Sequence, residues 1–374
     1  MECLNFLQKF EKSQTRNSLK AIIGNTPLLE IFFKYKGTTR RVFAKAEHMN
    51  MTGSVKDRMA FHILSKASES GDLKEGMEIY EATSGNTGIS FSAIGRALGH
   101  NVNIFMPDWM SEERKNIIKA LGANIELVSM DEGGFLGSIE KADLKAAENN
   151  GFLPHQFSNE LNIDAHYSTT GPEIWWQLRF RNLTPDAFVA GVGTGGTLMG
   201  VGKYLKEKNE NIKIHPLEPS NSPTLTTGYK VGKHRIQGIS DEFIPSICRL
   251  NELDEIICVD DGDSIIMAQM LSQVLGLAVG ISSGANLLGA IMVQEKLNKD
   301  TIVVTVFADC NKKYLTTDLL RKEQVKGGFI SPQVELLGFL SHKRVCMTCC
   351  DSGVCAECGL PESEYQLPSC IRRS

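Results

Sequence analysis

From about Arg41 to Leu320 the sequence alternates short β-branched or aromatic runs with longer stretches of helical periodicity, and this rhythm most narrows the folds open to it. The strand-like runs are Val42–Ala46, Ile79–Ala82, Val102–Met106, Asn124–Val128, Ala187–Gly191, Ile212–Leu217 and Ile302–Phe307. Helical patterns lie between them at Arg58–Ser68, Thr87–Leu98, Glu112–Leu121, Leu198–Lys206 and Ser264–Leu275. Strand then helix, repeated, means mainly parallel sheets covered on both faces, an α/β architecture. Ser111 is placed to cap the helix that ends before Gly122, and the glycine-rich segment Asp131–Ser138 reads as a mobile loop. After Leu320 the rhythm stops, so the chain's end reads as an appendage.

The 374 residues suffice for two domains or one large one, and a formal charge of −4 gives no electrostatic reason to expect nucleic acid or an acidic membrane surface as partner. The first twenty residues lack the unbroken apolar stretch of a signal peptide, and no apolar run approaches the roughly 20 residues of a membrane span. A cytoplasmic protein with reduced thiols is the expectation.

Three turns carry chemistry. Gly191-Val192-Gly193-Thr194-Gly195-Gly196-Thr197 follows an apolar strand and opens a helix, so backbone N–H groups and a positive dipole end face one place, which suits a phosphate. Gly191, Gly193 and Gly196 also satisfy the dinucleotide spacing, with Glu218 at the end of the next strand; the hydroxyls of Thr194 and Thr197 favour a terminal phosphate monoester instead. Thr83-Ser84-Gly85-Asn86-Thr87-Gly88, again between strand and helix, is a receptor for a carboxylate or simply a capped helix start. In Asn50-Met51-Thr52-Gly53-Ser54-Val55-Lys56-Asp57-Arg58 a lysine stands where a glycine-containing turn enters a helix, and a buried lysine amine is the nucleophile of Schiff-base chemistry.

These three elements, in this order, resemble the cysteine synthase and cystathionine β-synthase family of pyridoxal-phosphate enzymes of the tryptophan synthase β-like fold. Gly24-Asn25-Thr26-Pro27-Leu28, Gln156-Phe157-Ser158-Asn159, Thr169-Thr170-Gly171-Pro172-Glu173-Ile174-Trp175, Gln237-Gly238-Ile239 and Ser282-Ser283-Gly284-Ala285 extend the resemblance from about Ser18 to Leu320. It implies two three-layer αβα domains with mainly parallel twisted sheets: a larger cofactor-binding one from 1–49 and 161–325, and a smaller mobile one from 50–160. By the same resemblance Lys56 forms the Schiff base, Asn86 bonds the cofactor's phenolic oxygen, and Gly193, Thr194, Gly195, Gly196 and Thr197 hold its phosphate. Thr83, Ser84, Gly85 and Thr87, with Gln156 and Gly238, would receive the substrate. The implied reaction is β-replacement through an aminoacrylate, most simply cysteine synthesis from O-acetylserine or O-phosphoserine and sulfide, in a homodimer.

At two places the match loosens. Cys310 aligns where the family usually offers the pyridine nitrogen a serine or threonine hydroxyl, and it is expected to stand in as a neutral partner, with Asn311 or water as the alternative. Asp241, in Gly238-Ile239-Ser240-Asp241-Glu242, stands where many cysteine synthases have small residues; facing the intermediate it would be a general base, shifting the chemistry toward sulfide release from cysteine with water added to give L-serine. Otherwise it points to solvent. A catalytically degenerate binding protein is the reading from another class, opposed by the intact Lys56 and both anion loops.

Six of the ten cysteines fall in the last 29 residues. The pairs Cys346/Cys349 and Cys355/Cys358, two C-x-x-C spacings, fit a small zinc site; an iron–sulfur cluster and a redox-sensing or flexible tail are the alternatives, within an extension expected over 326–374.

Overall fold

Ten strands form within residues 14–342, the part of the chain that the computed structural model describes, and they fall into two sheets. The larger has the order β10-β1-β2-β9-β6-β7-β8, built from β1 (Leu28–Tyr35), β2 (Thr38–Lys45), β6 (Ala187–Gly191), β7 (Lys213–Pro219), β8 (Ile257–Val259), β9 (Val303–Val306) and β10 (Val334–His342). From β2 to β8 neighbours run parallel, whereas β1 is antiparallel to both β2 and β10. The smaller sheet, β3 (Ile79–Ala82), β4 (Val102–Pro107) and β5 (Asn124–Val128), is parallel throughout.

Helices cover both faces of each sheet. They are α1 (helical over 14–22), α2 (Lys56–Ser70), α3 (Asn86–Ala97), α4 (Glu112–Ala120), α5 (Gly134–Asn149), α6 (Leu161–Ala165), α7 (Gly171–Arg179), α8 (Gly196–Lys208), α9 (Thr224–Thr227), α10 (Asp261–Leu275) and α11 (Ile281–Leu297). Strand alternation makes the layers: Ala187 and Val189 of β6 join the core under α10 and α11, while Phe188 and Ala190 join the one under α7 and α8. In the smaller unit Ile79, Val102 and Ile104 pack with α2 and α3, and Tyr80, Ala82 and Phe105 pack with α5. None of the helices in the described residues is long and apolar enough to cross a membrane.

Three expectations change, and Glu218 takes a structural place. Asp131–Ser138 is no loop: α5 begins at Gly134, and a Cβ on Gly137 would lie 2.0 Å from the Glu132 carbonyl, so these glycines let the helix start against the preceding turn. The extension expected over 326–374 gives up its start to the core, because β10 pairs along the whole of β1 and residues 334–342 form an edge of the large sheet. Ser111 precedes α4, but its hydroxyl makes no capping bond. Glu218, once a candidate for a ribose contact, accepts from Leu225 N at 2.6 Å and Thr226 N at 3.2 Å and so ties down the start of α9.

Candidate active site

The three turns meet in one cleft between the two sheets, at the carboxyl ends of β3 and β6 and the N-termini of α2, α3 and α8. Lys56 is the first residue of α2. The turn before it is fixed by a main-chain pair with 308–310: Val55 N donates to Ala308 O at 2.8 Å and Cys310 N to Gly53 O at 3.0 Å. Asp57 locks that turn to α3, its carboxylate accepting from Thr52 N at 2.6 Å and Ser90 Oγ at 2.6 Å. The Lys56 amine faces the cleft and makes no hydrogen bond within the described residues; burial lowers its pKa, and the attraction of Asp241 and Asp309 opposes that without reversing it.

At the threonine-serine turn the capped helix start is what the structure shows. Thr83 Oγ accepts from Gly85 N at 3.0 Å and Gly88 N at 3.3 Å and so caps α3. Ser84 lines the cleft, and Thr87 donates to Gln156 Oε1 at 2.7 Å while Gln156 Nε2 holds Ala82 O at 2.9 Å. Asn86 sits between Asp309 Oδ2 and Lys313 Nζ, each at 2.7 Å.

The phosphate side is walled by its neighbours. A Cβ on Gly193 would lie 2.5 Å from Gly238 O, and one on Gly195, where φ is +87°, would lie 2.8 Å from Cys248 Cβ. Only glycine brings the backbone this close. Thr194 Oγ takes a bond from Asn162 Nδ2 at 2.9 Å, and Thr197 Oγ lies 3.1 Å from His166 Nε2. His166 sits in a π-helical turn, His166–Thr170, and burial drives its pKa down to about 3, so it is a neutral partner. Two hydroxyls and glycine amides at a helix N-terminus, backed by a neutral imidazole, fit the terminal phosphate of pyridoxal phosphate. The Lys56 amine, lining the same cleft, fits its aldehyde.

Asp241 turns inward. Ser240 adopts φ +55°, a costly conformation for a residue with a side chain, and is held there by bonds from its Oγ to Ser222 O at 2.8 Å and from its N to Val192 O at 2.8 Å. The Asp241 carboxylate lines the cleft without a hydrogen-bond or ion-pair partner in the described residues, and burial raises its pKa to about 6 against the opposing pull of Lys56.

Lys56, Thr83, Ser84, Asn86, Thr87, Gln156, Gly193, Thr194, Gly195, Thr197, Gly238 and Asp241 all line this cleft. Gly85 and Gly196 do not, being pressed against the side chains of Arg114 and Asn162. Cys310 is a correction: it is not among the lining residues, and its sulfur rests where a Cβ on Gly53 would be, 2.8 Å away. The hydroxyl that lines the cleft instead is Ser282, at the start of α11. The Ser-Ser-Gly-Ala motif marked that position, and only the fold shows that it faces inward. Arg114 was missed altogether, since nothing near it in sequence points to a ligand. The four tail cysteines Cys346, Cys349, Cys355 and Cys358 lie outside the described residues, and within those residues no group of histidine, cysteine or acidic side chains could hold a metal ion.

The chain matches the family described as "Pyridoxal-phosphate dependent enzyme" over residues 19–309. It is 41% identical over 303 residues to a cysteine synthase of Staphylococcus aureus, covering 81% of this chain and 96% of that protein. Among solved structures, a hydrogen sulfide-producing enzyme of Fusobacterium nucleatum superposes with a TM-score of 0.86 at 57% identity, covering 89% of this chain and all of the other. An aspartate-to-asparagine mutant of that enzyme was solved in complex with an α-aminoacrylate intermediate. The cysteine synthase of Entamoeba histolytica superposes with a TM-score of 0.76 at 40% identity, covering 84% and 93%.

Proposed function

This chain belongs to the pyridoxal-phosphate dependent enzymes and, among them, to the cysteine synthase family, and from that membership we propose that it releases hydrogen sulfide from L-cysteine and adds water to give L-serine. Its reaction class is β-replacement on an L-serine- or L-cysteine-derived amino acid. The observation that carries the direction is Asp241, an unpartnered carboxylate in the cleft with a pKa near 6, where a general base for water is needed. The likeness to the hydrogen sulfide-producing enzyme supports the same reading.

When bound, pyridoxal phosphate supplies an electron sink that allows a proton to leave Cα and a substituent to leave Cβ. Lys56 holds the cofactor and then, as a desolvated amine with a lowered pKa, accepts the Cα proton. Thr194, Thr197 and the amides of Gly193 and Gly195 would hold the cofactor's phosphate, Asn86 its phenolic oxygen, and Ser282, in place of Cys310, would be the neutral partner of its ring nitrogen. Ser84, Thr87 and Gln156 orient the α-carboxylate. Asp241 takes a proton from water as its oxygen attacks Cβ. The unit of residues 50–160 closes over the reacting atoms and keeps bulk water out. The protein works as a cytoplasmic homodimer, and zinc on the tail cysteines stays a proposal that metal analysis of the purified full-length protein decides.

A second reading, cysteine synthesis from a serine ester and sulfide, shares every residue except the base and is favoured by the curated relatives. The holoenzyme is incubated with L-cysteine alone and with O-acetylserine plus sulfide. Sulfide and serine in equal amounts from the first mixture are expected; cysteine from the second with no sulfide from the first would leave the synthase reading standing.

A further inference from the structure

Among the described residues two arginines are buried, and only one has acids around it. Arg58 is enclosed by Glu47 and Glu173 at 2.6 to 2.8 Å. Arg114, only 3% exposed, pairs with no carboxylate among the described residues. Its Nη1 donates to Gln237 Oε1, its guanidinium lies 5.0 Å from the centre of the Tyr314 ring, and its Nε has no partner. It lines the cleft with Lys56, Gln237 and Asp241, and its stem fills the space beside Gly85, 2.3 Å from where a Cβ would be.

A cation removed from water is costly unless an anion or several acceptors replace the solvent. One amide oxygen and the ring and hydroxyl of Tyr314 leave Arg114 without a counter-anion among the described residues, and it lines the cleft. Arg114 reaches it from α4, in the small unit, and touches Gln237 beside the Asp241 loop in the large unit, so it spans the region between the carboxylate turn and the base.

We infer that Arg114, with Gln237, forms a subsite for a negatively charged β-substituent, and that the enzyme prefers amino acids whose β-group already carries a negative charge when it binds. As the bond from Cβ to the substituent breaks, the substituent takes the bonding pair, so a fixed cation beside it gains strength in the transition state. Acetate, hydrosulfide and phosphate all leave with the bonding pair, but O-phosphoserine carries its charge from binding onward, whereas O-acetylserine is neutral until acetate departs, so the attraction to Arg114 separates the two esters. The inference rests on the β-replacement chemistry above and not on which nucleophile completes it.

Initial rates of the first half-reaction, read from the cofactor's absorbance, are measured for holoenzyme, R114Q and R114K with O-phosphoserine, O-acetylserine and L-cysteine, and inorganic phosphate binding is measured by calorimetry. R114Q is expected to lose roughly 10- to 100-fold in kcat/KM on O-phosphoserine and much less on O-acetylserine, to lose phosphate affinity in parallel, and to be partly restored in R114K. An equal loss on both esters with phosphate affinity unchanged would assign Arg114 to docking α4 alone and overturn the inference. So would a wild type that rejects O-phosphoserine. Failure to release sulfide from cysteine, with the ester contrast intact, would overturn the direction proposed above and leave this subsite standing.

Discussion

Arg58 and Glu173 form a buried two-point pair, Nη1 to Oε1 at 2.6 Å and Nη2 to Oε2 at 2.7 Å, that ties α2 to α7 two residues beyond Lys56. Glu47 grips the other edge of the guanidinium and Lys45 closes the network on Glu173 at 2.7 Å. The helix that carries the reactive lysine is thus anchored at its first turn to a helix 115 residues away in sequence.

Removing one member of such a network leaves charges buried without partners. Glu173→Gln is expected to destabilise the protein by about 3–5 kcal/mol in urea unfolding. Burial favours the protonated form of Glu173, but Arg58 and Lys45 outweigh it and hold the pKa down to about 2. A depressed carboxylate pKa contributes stability above its unfolded value near 4.5 and loses it as pH falls toward about 2, so the wild type should weaken across that interval and Glu173→Gln should show a shallower acid limb. An unchanged unfolding midpoint in the variant would refute the anchoring role.

In its proposed role as base Asp241 must be ionised, and its pKa is raised to about 6, so serine formation from cysteine should fall as pH drops through about 6. Asp241→Asn should erase that limb and slow water addition by about 10²–10⁴, while a single burst of sulfide survives because the first half-reaction uses Lys56. Rapid-quench assays of sulfide and serine separate the two halves. A variant that loses the burst as completely as it loses serine would show that Asp241 serves both.

The strand–helix rhythm made most of the parallel strands legible, because strands such as β3, β6 and β9 are buried on both faces, but it passed over the three-residue β8. It missed β10, since its antiparallel pairing depends on residues some 300 positions apart, Leu28 opposite His342, that no local window joins, and it missed β1 although the Lys36-Gly37 turn joins it locally to β2. It missed α11, whose residues are buried nearly all round, so that no polar stripe marks its period. The glycine and threonine turns could be read because backbone approach and hydroxyls are local demands. Arg114 could not, since its importance lies in the absence of an acid partner in three dimensions. Cys310 was misplaced for a related reason: alignment along the chain puts it near the cofactor turn, while its side chain points under Gly53.

That correction separates Ser282 from Cys310. Cys310→Ser should bind cofactor and turn over within about twofold of wild type, as expected for a side chain outside the cleft. Ser282→Ala removes a hydroxyl that lines the cleft and should weaken cofactor binding by about fivefold, the worth of one neutral hydrogen bond, with a shifted visible spectrum. Titration of the two apoenzymes with pyridoxal phosphate gives the answer, and a reversed order would return the ring-nitrogen contact to Cys310.

Gly195 tests the phosphate wall. At φ +87° an alanine strains the backbone, and its Cβ would meet Cys248 Cβ at 2.8 Å, so the loop must shift where its amides face the phosphate. Gly37 has a similar φ, +76°, with open space around it and no place in the cleft. Both alanine variants should lose about 1–3 kcal/mol of folding stability from the backbone, but only Gly195→Ala should raise the dissociation constant for pyridoxal phosphate, by about tenfold or more. Adding Cys248→Gly to Gly195→Ala relieves the contact and leaves the strain, so cofactor affinity should recover further than stability does. Equal cofactor loss in Gly37→Ala and Gly195→Ala would mean that the effect is general loosening and that the close approach of this loop is not what holds the phosphate.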